Sequence, residues 1–221
     1  MNLGHPMAEA LRQTAPEALP ADAVPDTAKR RQILDGARQV FLSQGFDGAS
    51  MNDVARVANV SKGTLYVYFP SKEALFEAFI REEKRQQAEQ ICRIDAEDIA
   101  FGAVLQRFAR NFLTVLTRPE ALAHMRTVLG IASKNPAIGL AYYEAGPRHG
   151  IAYIAGQIRR QQEAGVLRVE DAEEAAAVFL DLTKSGLFGK LLFCPDLGTS
   201  AEEIDRHAER ATRLFLRLYA V

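Results

Sequence analysis

Residues 61–72 read Ser-Lys-Gly-Thr-Leu-Tyr-Val-Tyr-Phe-Pro-Ser-Lys. These side chains suit holding a polyanion rather than breaking bonds. Set around a helix at about 100° per residue, Leu65 and Phe69 share a face and point inward. Gly63 and Val67 take the opposite pole, flanked by Thr64 and Tyr66. Gly63 removes a side chain where the backbone would approach base edges, and Val67 offers methyl groups to a thymine C5-methyl. Lys62, in the first turn, reaches a base edge or a phosphate. Tyr66 and Tyr68 carry hydroxyls on rigid rings, suited to phosphate oxygens. Lys72, in the first turn of the next helix, would clamp the phosphate backbone further along.

The rest of the chain offers no rival chemistry. His5, His124, His149 and His207 are scattered, and none stands in H-x-x-x-H or beside Cys or a carboxylate at metal-ligand spacing. There is no Gly-rich phosphate loop and no G-x-S-x-G. No catalytic residue, metal or cofactor is therefore expected. Cys92 and Cys194 form no C-x-x-C and are expected to be reduced, buried thiols. The formal net charge is −1, yet residues 28–72 hold seven Lys or Arg against three Asp, a local +4 that leaves −5 for the remainder. A basic segment on a mildly acidic body marks one surface for a polyanion. An interaction protein without such a partner would carry neutral or acidic residues at 62 and 72, where both are Lys. No apolar run reaches the roughly 18–20 residues of a membrane span, and the N-terminus lacks the order of a signal peptide. A soluble, cytoplasmic protein is expected.

The elements that must position these residues are helical throughout, with no alternating strand pattern. Residues 1–26, with Pro6, Pro16, Pro20 and Pro25, show no periodicity and read as a disordered tail. A first helix runs from about Thr27 to Gln44, with Ile33, Leu34, Ala37, Val40 and Phe41 on one stripe and Gly45 as its stop. Ser50, three residues before Asp53, opens a short helix Met51 to Ala58. Asn59-Val60 makes a turn, and Ser61 caps a third helix through Phe69. Two short helices joined by a tight turn are a helix-turn-helix, whose second helix can lie in a DNA major groove, so residues 27–72 are expected to form a DNA-binding unit. The helix of about 71–90, with the charged run Arg81 to Arg85, links it to a larger helical domain, 73–221. That domain's helices cover about Ile99–Leu116, Pro119–Asn135, Ala137–Ala164 with a break at Gly146-Pro147, Asp171–Phe193 and Ser200–Tyr219.

The run from Ser50 to Leu75, above all Gly-Thr-Leu-Tyr-x-Tyr-Phe-x-x-Lys-Glu-x-Leu, resembles the DNA-binding domain of the tetracycline-repressor (TetR) family. The match spans about residues 28–80. It implies an all-α fold, a helix-turn-helix head and a larger ligand-binding and dimerisation domain. Position by position it implies that Ser50 caps its helix and meets a phosphate. Lys62, Gly63, Thr64 and Val67 face the groove, and Tyr66, Tyr68 and Lys72 hold the backbone. Arg30 and Arg31 would reach a neighbouring phosphate or the minor groove. The stretch from Tyr142 to Pro147 and the last two helices look similar to regulators of lipophilic-drug efflux. The implied function is a ligand-responsive transcriptional regulator, a repressor released from a near-palindromic double-stranded DNA operator by a small lipophilic or aromatic effector. Activation instead of repression depends on where the operator lies, which these residues do not encode.

In the larger domain, Ile204, Ala208, Ala211, Phe215 and Leu218 are spaced 4, 3, 4 and 3 apart, and Val178, Leu182, Gly186 and Gly189 precede them. By spacing alone these stripes serve either their own core or another chain. The resemblance implies a homodimer interface. Phe101, Leu105, Phe108, Phe112, Met125, Tyr142, Tyr143, Phe179 and Thr183 are candidate ligand contacts, with Leu129 and Leu187 beside them and His124 and Glu144 as nearby polar groups. Such a pocket would be mostly apolar with few polar anchors.

Overall fold

The structure, a computed structural model, describes residues 28–92 and 100–221. The tail assigned to residues 1–26 lies outside them. Among the described residues the chain is a succession of α-helices with one isolated antiparallel bridge, Leu167 to Ala220. No described helix is long and apolar enough to cross a membrane.

Helix α1 (Ala28–Gly48) buries the expected stripe, Ile33, Leu34, Ala37, Val40 and Phe41. Gly45, at φ 71°, takes the left-handed turn that only glycine adopts without strain, and this tucks Phe46 back into the core. Helix α2 (Met51–Val57) begins at Ser50, whose Oγ accepts the Asp53 N–H. Helix α3 (Lys62–Tyr68) begins at Ser61, whose Oγ accepts the Thr64 N–H. Between them Asn59 sits at φ 51°, a conformation Asn tolerates better than most residues. The Val60 N–H closes the turn on the Ala55 carbonyl at 3.0 Å. Gly36 lets α1 touch this turn, and the Gln32 Nε2 donates to the Ala58 carbonyl at 2.6 Å.

Helix α4 (Lys72–Cys92) belongs to both halves of the molecule. Its start supplies Leu75, Phe76, Phe79 and Ile80 to the head's core, which continues without a gap into Val128 and Ile131 of α6 (Pro119–Ala132) and Ile138 and Tyr142 of α7 (Pro136–Tyr143). The core of the head therefore runs well past residue 72. Phe41 meets Phe76 edge-on at 4.8 Å between centroids, and Phe46 lies 4.9 Å from Phe76.

A second core joins α5 (Phe101–Leu116), α8 (His149–Glu163), α9 (Ala172–Lys184) and α11 (Ala201–Tyr219) through Leu105, Phe108, Ile154, Ile158, Phe179 and Phe215. A smaller cluster adds Leu191 of α10 (Phe188–Phe193).

Two expected boundaries differ. The break at Gly146-Pro147 is instead a π-helical turn, Glu144–Arg148, that carries α7 directly into α8. Proline has no N–H to give, and widening the turn by one residue absorbs its ring. The helix expected over Asp171–Phe193 is two helices, because Gly186 at φ 81° ends the first.

A Cβ on Gly36 would stand 2.6 Å from the Ala58 Cβ and 2.8 Å from its backbone. Overpacking of this kind costs ~1–3 kcal/mol, more than the ~1 kcal/mol alanine gains over glycine inside a helix. Gly36→Ala therefore lowers the urea midpoint. An unchanged midpoint would mean that α1 can separate from the turn without loss.

Candidate nucleic-acid interface and cavity

Helix α3 is pinned by Leu65 and Phe69, both buried, so the residues between them face outward. Lys62, Gly63, Tyr66 and Val67 are exposed, and Val67 keeps 81% of its surface in water. A short helix that leaves a valine and a tyrosine in solvent beside a lysine has a surface shaped for contact. The Lys62 Nζ lies 6.0 Å from the Tyr66 ring centroid, which draws the two side chains together. A Cβ on Gly63 would meet only the Ser61 Oγ, at 3.8 Å, so nothing inside the protein requires glycine there.

Other sequence-predicted contacts have work inside the protein. The Ser50 hydroxyl spends its single proton on the Asp53 carboxylate at 2.5 Å. That bond, then the nearby Arg56, holds the Asp53 carboxyl below its usual range. Ser50 is thus a cap first. The Thr64 hydroxyl shares a 2.8 Å hydrogen bond with Ser61 and is half-buried. Tyr68 packs partly against the head's core. The Lys72 ammonium donates to the Phe46 and Ala49 carbonyls at 2.8 and 3.1 Å and lies 4.4 Å from the Phe46 ring centroid. It ties the α1–α2 connection to α4 whatever else it meets. Arg30 and Arg31 lie at the start of α1, with the Arg30 guanidinium 5.5 Å over the Phe69 ring.

The larger domain holds a cavity of about 310 Å³, walled by α4, α5, the π-turn, α8 and α9 with single residues or pairs from α6, α7 and α10. Of the candidate ligand contacts, Phe108, Phe112, Met125, Tyr142 and Tyr143 line it. Phe101, Leu105, Phe179 and Thr183 do not. Leu105 and Phe179 are fully buried in the second core, Phe101 packs against that core, and the Thr183 hydroxyl donates to the Phe179 carbonyl. Leu129 is exposed, and Leu187 sits in the smaller cluster.

Sequence reasoning missed the α4 wall: Lys84, Gln87, Ala88, Ile91 and Cys92. The charged run Arg81 to Arg85 suggested a solvated bridge. The spacing of Phe76, Ile80, Lys84, Ala88 and Ile91 was the signal, since it continues the apolar stripe straight through that run. Lys84 is only 7% exposed, and burial pulls its pKa from 10.5 down to about 8. Its Nζ donates to the Gln87 Oε1 at 2.9 Å and lies 4.1 Å from the centroid of the Tyr142 ring. Neighbouring Glu83 is buried too, its carboxyl raised by desolvation while the Arg38 Nε of α1 stands 3.2 Å away. Burial raises the Tyr142 phenol and the Cys92 thiol, the latter to about 11. Burial, then the charge of Lys84, lowers His124 to about 4, so it is neutral near neutral pH. The Tyr142 hydroxyl and the His124 Nε2 are buried without a hydrogen-bond partner among the described residues. Cys194, expected to be buried, is exposed. No cluster of metal-ligating groups occurs among the described residues.

The expected dimer stripe needs correction. Ile204, Ala208, Ala211 and Phe215 are buried in their own chain, three in the core shared with α9 and α5 and Ile204 in the smaller cluster. A 3–4 spacing identifies a buried face but not whose core it faces. Of the other positions, Val178 and Leu182 are half-buried, while Gly186, Gly189 and Leu218 are exposed. Beside them Leu214 and Leu197 are exposed, and Phe193 keeps 85% of its surface in water.

Residues 33–79 match the family model described as bacterial regulatory proteins, tetR family, and residues 103–221 match that of the AefR-like transcriptional repressor, C-terminal domain. The chain belongs to the TetR family. It is similar to the HTH-type transcriptional regulator UidR of Escherichia coli K12, 42% identical over 164 residues that span 70% of this chain and 77% of that protein. Among solved structures, a TetR-family regulator from Mesorhizobium loti superposes with a TM-score of 0.80 at 30% identity, covering 87% of this chain and 97% of that one. The flavonoid-responsive regulator FrrA gives 0.75 at 32% identity, with the same coverage. The protein is thus a DNA-binding transcriptional regulator of the TetR family. The α4 wall of the cavity lies between the two TetR-family matches, in residues 80–102.

Lys84 burdens the fold while it is charged. Below about pH 8 the native chain holds a desolvated ammonium and bears the full penalty. Between that pH and 10.5 the unfolded chain binds a proton that the native chain has released, so stability rises with pH. Lys84→Met removes the burden at every pH. Its gain in melting temperature over the native chain is largest below pH 8 and shrinks toward pH 10.5. A gain that stays constant across that window would mean the ammonium is hydrated in the native state.

Proposed function

We propose that the protein is a cytoplasmic repressor that acts as a two-fold dimer. Its two α3 helices read successive major grooves of a near-palindromic operator, and an apolar, aromatic effector in the cavity releases it. The observation that carries this reading is the shared helix. One continuous α4 gives Phe76 and Phe79 to the core of the reading head and Lys84 to Ile91 to the cavity wall. A ligand that prefers a different seat for α4 thereby shifts the population toward heads mis-spaced for the operator, by its differential affinity and no more. Cavity size and rings suit a drug-sized aromatic compound, and the name of FrrA supports the flavonoid class as the first to try.

In the DNA complex, Lys62, Gly63, Thr64 and Val67 face the groove and Tyr66 and Tyr68 hold phosphates. Arg30 and Arg31 stand at the flank, and Lys72 and Ser50 set the geometry of the head from within while bordering the backbone. Two-fold pairing uses the outer faces of the last helices, with Leu214, Leu218 and Phe193 in place of the inward stripe.

The deciding experiment is binding to the DNA upstream of the protein's own gene, by anisotropy at two salt concentrations and against unrelated DNA. Salt-sensitive binding that prefers the upstream DNA, relieved by flavonoids, is expected. Equal, weak binding to both DNAs would overturn the reading of α3.

Gly63→Ala separates fold from contact. It raises stability by up to ~1 kcal/mol through helix propensity, yet weakens operator binding. Tyr66→Phe weakens operator binding about tenfold with the melting temperature unchanged, through loss of one hydrogen bond to a charged group. Full affinity in both would remove these residues from the interface. Lys72→Ala is not a clean probe of the contact, because it also frees two backbone carbonyls of the head. Leu218→Arg yields a folded monomer in sedimentation, and an unchanged dimer would put the interface elsewhere.

A further inference from the structure

The cavity is unevenly polar, and its charge sits in one place. Among the described residues three charged side chains line it: Lys84, Asp181 and Lys184. Asp181 and Lys184 neutralise each other, with Oδ1 and Nζ 2.8 Å apart. Among the described residues Lys84 has no such partner. Its ammonium has three N–H donors and one neutral acceptor, the Gln87 amide at 2.9 Å. Its chain neighbour Glu83 turns the other way, toward Arg38 of α1. On the facing elements stand the Tyr142 ring and the neutral His124 imidazole, neither of which is a counter-ion. The side chain is also held in place. A Cβ on Gly146 in the π-turn would stand 3.0 Å from the Lys84 Cδ, so the stem fills the space opened by a glycine.

A buried ammonium without a counter-charge is expensive, and a Met or Leu of similar volume would pack the same wall at lower cost. The rest of the lining, including Ile91, Phe108, Phe112, Val115 and Ile151, is apolar or aromatic. Opposite charge and shape then fix the class of molecule that completes the site. Resting on the reading of this cavity as the effector site, we propose that the effector is an aromatic anion whose single negatively charged oxygen group pairs with the Lys84 ammonium while its rings fill the apolar remainder. A carboxylate and an ionised phenol satisfy the same chemistry. Burial in low dielectric makes such a charge-assisted hydrogen bond worth more than its surface counterpart. It would also place the ligand's charge one residue from the ion pair that joins α4 to α1.

Two fluorescent probes that share one aromatic body test this. One is 1-anilinonaphthalene-8-sulfonate, and the other is N-phenyl-1-naphthylamine, the same rings without the sulfonate. Each is titrated into the full-length protein and into Lys84→Met and Lys84→Gln, whose folding is checked by thermal melting. The native protein is expected to prefer the sulfonate about tenfold or more, and both variants to lose that preference while still binding the neutral probe. Competition by benzoate-type acids and by phenols of matched size then separates the carboxylate from the phenolate. Equal affinities in the native protein, or a preference that survives both substitutions, would overturn the proposal and leave the cavity as a neutral apolar site. Failure of both probes to bind would instead remove the effector-site reading, and the proposal with it.

Discussion

Four phenylalanines hold the two halves of this chain together. Phe41 and Phe46 come from the end of α1 and its turn, Phe76 and Phe79 from the start of α4, and their rings touch in sequence. Phe79 then meets the edge of His124 on α6 at 5.3 Å between centroids. Aromatic packing at these distances adds directional preference to the burial of large apolar area. The head is therefore an extension of the larger domain's core rather than a bead on a flexible string. The outward face of α3, the closing of the turn at Asn59 and the anchoring of Lys72 all depend on this cluster staying shut.

The chain keeps two kinds of buried charge, with different consequences. Glu83 has Arg38 beside it and links α4 to α1 at the surface of the head. Lys84, next in sequence, points to the cavity and meets a ring and an amide. Burial works against the charged form of both, raising the carboxyl and lowering the ammonium. Among the described residues only the carboxylate finds a charged partner. Adjacent residues on a helix are about 100° apart, which is how one segment serves a structural contact and a cavity wall together.

Most of the fold was legible because local rules and tertiary packing agree. Ser50 and Ser61 cap the helices that their spacing announces, Gly45 breaks the helical path of α1, and Pro119 opens α6. The outward set on α3 followed from where Leu65 and Phe69 had to point. What was hidden had competing explanations at the same spacing. Ile204, Ala208, Ala211 and Phe215 form a regular stripe, but a core inside the chain and a core between chains have the same period. Phe179 and Leu105 were as plausible for a cavity as Phe108, and only the packing of α9 against α5 decides between filling and lining. Gly146-Pro147 signalled an interruption without specifying that a wider turn would bridge it. Lys84 was masked by its charged neighbours.

Helix α4 also has mechanical consequences. With 21 residues and a rise of about 1.5 Å each, it is a rod about 30 Å long. Its far end borders the cavity, and its near end is embedded in the head. A tilt of about 5° about one end sweeps the other through about 2–3 Å. In the proposed two-fold dimer that sweep would occur on both sides, and its component along the line joining the heads would change their separation by twice that component. On the proposed reading, a modest rearrangement of side chains around one buried ammonium would in this way be geared up to a distance of a few ångströms, comparable with a base-pair step.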